Sequence, residues 1–70
     1  ARAAALAVQA TADHELALKA LAKGDNATGK RFLRQADQAM AEVLRTHPSL
    51  DPVGALAGRR ASIAVRLKAL

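Results

Sequence analysis

Only two places in this sequence can interrupt a helix. The first is Lys23-Gly24-Asp25-Asn26, where Gly24 can adopt the left-handed conformation that ends one helix and Asp25 or Asn26 can cap the next. The second is His47-Pro48-Ser49-Leu50-Asp51-Pro52. There Pro48 ends a helix near Thr46, Asp51 can serve as an N-cap, and Pro52 suits a first helical position. Between the breaks lie good helix formers and no strand-like alternation. The expectation is one all-α domain over residues 1–70, with helices at about 2–23, 27–46 and 52–70. Short connections between long helices favour antiparallel neighbours, hence an antiparallel three-helix bundle.

The middle segment has the clearest apolar face. Phe32, Leu33, Ala36, Ala39, Met40, Val43 and Leu44 recur at three- and four-residue spacing, with Arg31, Arg34, Gln35, Gln38, Glu42 and Arg45 largely elsewhere. Core packing accounts for its Phe and Met. The first segment is Ala-rich all round, with Leu18 and Leu21 expected to face the bundle, and Glu15 and Lys19 spaced for an i,i+4 ion pair. Phe32 is the only aromatic residue, and a chain of 70 residues buries only about 60% of its unfolded surface. A core of Ala with some Leu stabilises weakly, so limited autonomy without a partner is expected.

Charge is distributed unevenly. Residues 52–70 hold Arg59, Arg60, Arg66 and Lys68 and no acid, which is +4 of a net charge of +5. At about 100° per residue, Leu56, Ile63, Leu67 and Leu70 share a narrow arc, and Arg59, Ser62 and Arg66 form a stripe beside it. Such a stripe can grip phosphates along one line, with the serine hydroxyl as an extra donor. Arg60 falls near the middle of the apolar arc, so it must snorkel past the core or mark where a partner covers the helix. Lys30, Arg31 and Arg34 crowd the start of the middle helix, where the helix dipole disfavours cations and a bound polyanion would offset the cost. An antiparallel bundle would bring that end near the start of helix one or the end of helix three, joining the two basic groups. A solvated basic face on a cationic protein is the simpler account of the same residues.

Other chemistries lack their residues. There is no cysteine, which removes disulfides and thiolate metal sites. His14 and His47 are far apart, and no three donors converge for a metal. Asp13 and Glu15 point to different sides of a helix, and Gly24–Gly29 lacks the spacing of a phosphate loop. No enzyme, cofactor, metal or small-molecule substrate is expected. Arg59-Arg60-Ala61-Ser62-Ile63 reads like a basophilic kinase site, though a serine within a packed helix is a poor substrate. The apolar run Ala3–Val8 is too short to span a bilayer, so no membrane partner is expected. Residues 1–10 are acid-free and Ala-rich, which suits both the trimmed edge of a targeting sequence and an ordinary helix start.

Three pieces together resemble the bacterial-type small-subunit ribosomal proteins of the S-twenty family. They are Gly24-Asp25 at the first turn, Phe32-Leu33-Arg34-Gln35-Ala36, and Ala57-Gly58-Arg59-Arg60-Ala61-Ser62, with Ala64-Val65-Arg66-Leu67-Lys68-Ala69-Leu70 continuing the rhythm. The likeness covers roughly residues 16–70, and Arg-Arg-x-Ser is its sharpest part. It implies a structural protein that braces ribosomal RNA of the small subunit, with neighbouring ribosomal proteins as further contacts, in a bacterial cytoplasm or an organelle such as the mitochondrion. By position it implies Arg59, Arg60 and Ser62 as RNA contacts, then Arg66 and Lys68. The family is usually Lys-rich with a basic first helix, whereas here only Arg2 precedes Lys19, and its His-Lys-Asn before the last helix is missing. Two other classes fit parts of the pattern. The turn at Lys23-Gly24-Asp25 followed by Pro48 and a third helix resembles a tetratricopeptide-like protein-binding hairpin, although the second helix is too long and no second repeat is present. A small secreted Ala-rich helical bundle is the other.

Overall fold

The computed structural model describes residues 2–70. They form α1 (Arg2–Ala22), α2 (Asn26–Thr46), a 3₁₀ turn (Pro48–Leu50) and α3 (Ala55–Ala69), with no strand among the described residues. The expected all-α three-helix bundle is the fold observed. How the chain begins at Ala1 lies outside the described residues.

The first break works through backbone geometry. Gly24 takes φ +83°, its N–H bonds to the Leu21 carbonyl at 3.0 Å, and the Asp25 N–H reaches back to the Ala20 carbonyl at 2.9 Å. These two bonds close the end of α1 as a Schellman motif. Of the two candidate caps it is Asp25 that caps α2, accepting the Thr28 N–H at 3.1 Å.

The second break is wider than expected, and α3 starts at Ala55 rather than near Pro52. Pro48–Leu50 winds into the 3₁₀ turn, the Gly54 N–H bonds to the Asp51 carbonyl at 3.1 Å, and Gly54 enters the helix at φ +73°. Asp51 still caps, from outside this loop: its two carboxylate oxygens accept the N–H groups of Leu56 at 2.9 Å and Ala57 at 3.1 Å. A side chain spanning that gap satisfies two donors of the first turn that would otherwise have no partner.

The core runs along α2. Leu33, Ala36, Met40 and Val43 are fully buried, flanked by half-buried Phe32, Ala39 and Leu44. α1 meets it with Ala10 and Ala17, which are fully buried, and with Leu6, Ala7 and Leu21 at the edge; Leu18 is half-buried. α3 adds only Leu56 and Ile63, with Leu67 at the margin, and it packs chiefly on α2. Leu70, expected on the buried arc, is exposed at the helix end. No described helix is long and apolar enough to cross a membrane.

The α1–α2 crossing is tight at Gly29. A β-carbon there would lie 2.5 Å from Leu21 Cδ2, 2.6 Å from its Cγ and 3.3 Å from the Ala17 carbonyl oxygen. A side chain there would have to displace Leu21, so it is the approach of α1 and not backbone conformation that favours glycine. Gly29→Val is expected to lower unfolding free energy by about 1–3 kcal/mol through overpacking, read by chemical denaturation. Leu21→Ala in the same chain should recover part of that loss, so the pair will be non-additive. Simple additivity would place the clash elsewhere.

Candidate functional site

The four cations of α3 divide into two pairs with different fates. Arg59 and Arg60 are bound internally, by acids and a histidine of the other two helices, although their own segment holds no acid. Arg59 Nη1 donates to His14 Nδ1 at 3.0 Å and to Glu15 Oε1 at 3.2 Å, tying α3 to α1. Arg60 Nε donates to Asp37 Oδ1 at 2.9 Å, tying α3 to α2. Its Nη2 reaches the other carboxylate oxygen at 3.5 Å. Arg60 neither crosses the core nor waits for a partner to cover it. It lies at the flank of the Leu56–Ile63 strip, half-exposed, where its guanidinium reaches the acid.

Glu15 bonds Arg59, and the expected i,i+4 pair with Lys19 does not form. Ser62, Arg66 and Lys68 are exposed, as are Arg31 and Arg34, while Lys30 is half-buried. Arg31 also lies over the Phe32 ring, 5.7 Å from its centroid, within cation–π range.

Topology decides which of these cations meet. The short connection between Thr46 and Ala55 turns α3 antiparallel to α2, and the Arg60–Asp37 bond sets their level, so seven residues in opposite directions, about 10 Å of helix each, bring Leu67 level with Lys30. The end of α3 thus stands beside the start of α2. The end of α1 is there too, one tight turn away; the start of α1 lies at the opposite end of the bundle. Lys19 and Lys23 of α1 and its turn, Lys30, Arg31 and Arg34 of α2, and Arg66 and Lys68 of α3 therefore occupy one end. None of the seven takes part in an ion pair among the described residues. Asp25 is the acid at the tip, its carboxyl held below its ordinary pKa by hydrogen bonds from Thr28, side chain first and then backbone, while Glu15 and Asp37, near the level of Arg34, are bonded by Arg59 and Arg60. Arg45 at the other end pairs with Glu42 at 2.7 Å.

Sequence reasoning missed two parts of this arrangement. Lys19 and Lys23 join the basic end only through the up-down-up order of the helices. Asp13 and His14 are buried on the inner face of α1, at 8% and 5% exposure, between Ala10 and Ala17. Their spacing of three and four residues from those alanines was the available signal. Both are satisfied: Gln9 Nε2 donates to Asp13 Oδ1 at 3.0 Å, and Arg59 bonds His14. His47 is exposed, bonded through Nδ1 to the Thr46 hydroxyl at 2.9 Å.

The Arg60–Asp37 pair is half-exposed, with side-chain exposures of 40% and 32%. A double-mutant cycle with Arg60→Ala and Asp37→Ala should give a coupling of at most about 1 kcal/mol, read by denaturation at low and high salt. A larger, salt-insensitive coupling would make the pair a structural anchor of α3 instead.

Comparison with models of known protein families, with curated proteins and with solved structures finds no match.

Proposed function

We propose that this protein is a non-catalytic RNA-binding protein that holds the phosphate backbone of structured RNA at the basic end of its bundle. The observation that carries the reading is the convergence of seven cations without ion-pair partners from three helices on one end. Two of them, Lys30 and Arg31, sit in the second turn of α2, close behind its N-terminus. A mixed group of Lys and Arg without ion-pair partners suits backbone positioning rather than base reading. The likeness of α3 to the S-twenty family names the assembly: the small ribosomal subunit, in a bacterial cytoplasm or an organelle, with ribosomal proteins as neighbours. In this reading Arg66, Lys68, Lys30, Arg31 and Arg34 make the first contacts. Arg59 and Arg60 reach RNA only by exchanging Glu15 and Asp37 for phosphate, and Ser62 is an accessory donor.

A second reading, a tetratricopeptide-like protein-binding hairpin, is favoured by two separate features. Ala17 and Gly29 let α1 and α2 approach closely. An apolar groove of about 540 Å³ lies between α1 and the α2–α3 connection, lined by Val8, Thr11, Leu50, Val53 and Leu56 among others.

Retention on structured RNA, measured from low to moderate salt, should fall steeply as counterions are taken back. The triple variant Arg31→Ala, Arg34→Ala, Arg66→Ala should reduce the log–log salt slope by about one per cation removed while leaving helicity unchanged. The chain should also co-sediment with small ribosomal subunits. Salt-insensitive binding to a peptide, with no RNA retention, would replace this reading by the hairpin one.

A further inference from the structure

We infer that His14 makes the docking of α3 on α1 proton-sensitive, so that mild acidification breaks the His14–Arg59 bond and loosens α3 while the α1–α2 pair stays closed. The inference is independent of RNA binding and rests on hydrogen-bond chemistry. A guanidinium has donors only, so a 3.0 Å contact between Arg59 Nη1 and His14 Nδ1 requires the imidazole to be neutral with Nδ1 as acceptor. Protonation at Nδ1 removes that acceptor and places two cations in contact. The ring is 5% exposed, so water cannot screen them well.

The charged surroundings are few. α1 contributes Asp13, already bonded by Gln9, and Glu15, already bonded by Arg59. α3 contributes Arg59 and, further off, Arg66. α2 makes no hydrogen bond or ion pair with the ring among the described residues. Burial and then Arg59 hold the imidazole pKa below its ordinary value; Glu15 opposes them and Arg66 adds to them. As pH falls the unfolded chain therefore binds the proton first. Stability from this cluster is present above the ordinary histidine pKa and is lost as pH falls through it towards the folded value. α3 responds because its hold is slight: Leu56 and Ile63 are its only buried side chains, and the Arg59 cluster supplies its side-chain hydrogen bonds to α1.

Hydrogen exchange of the full chain, corrected for intrinsic rates, is compared at about pH 7.5 and about pH 5.5, where carboxylates remain ionised. Protection of α3 amides should fall by about tenfold or more at the lower pH, with amides around Ala17 and Gly29 unchanged. His14→Gln, which keeps an acceptor for Arg59 but does not titrate, should abolish the pH effect. Equal loss in wild type and His14→Gln, or no loss in wild type, overturns the inference. Should His14→Gln fail to fold, NMR titration of the His14 ring decides. Its midpoint should be higher in Arg59→Gln than in wild type, and an unchanged midpoint overturns the inference.

Discussion

The close approach of α1 to α2 carries the rest of the structure. With Phe32 half-exposed and alanines supplying much of the interface, apolar burial comes from bringing two backbones together rather than from interlocking large side chains. Gly29 against Leu21 and Ala17 is where that approach is tightest. Small residues allow such proximity but provide few steric keys, so register is set by the turn at Gly24 and by the larger residues Leu33, Met40 and Val43 along α2.

α3 is built on different terms. It offers two buried apolar side chains, and polar contacts complete its attachment: Arg60 to Asp37 on one side, Arg59 to His14 and Glu15 on the other. Partly exposed ion pairs contribute little each, about 0–1 kcal/mol, yet they fix register because each acid lies at a particular level of its helix. They set the level at which α3 meets its neighbours, while the short connection after Thr46 sets its antiparallel direction. It also changes the electrostatics: neutralising the two mid-helix arginines leaves the remaining positive charge concentrated at one end.

The resulting polarity follows from helix order as much as from composition. α1 and α3 end where α2 begins, so cations placed late in two helices and early in the third meet. Lys19, Lys23, Arg66 and Lys68 sit favourably near C-terminal dipole ends, whereas Lys30 and Arg31 do not. The mixture leaves a concentrated positive field with Asp25 engaged in capping.

Local features of the sequence determined the helices. Gly24, Asp25, Pro48 and Asp51 act within a few residues of themselves, and the three-four spacing of Leu33, Ala36, Met40 and Val43 marks the buried face of α2 directly. The later start of α3 was less legible, because Asp51 caps across an intervening loop rather than from the adjoining position. For the arginines of α3, being bound depends on acids more than 20 residues away, Asp37 for Arg60 and Glu15 for Arg59. Helical periodicity along one segment carries no information about a facing acid. Element type and the apolar face of α2 were therefore determined by the sequence itself. The pairing of charges, the burial of His14 and the gathering of cations at one end were decided by tertiary structure, since each requires helices to be set side by side.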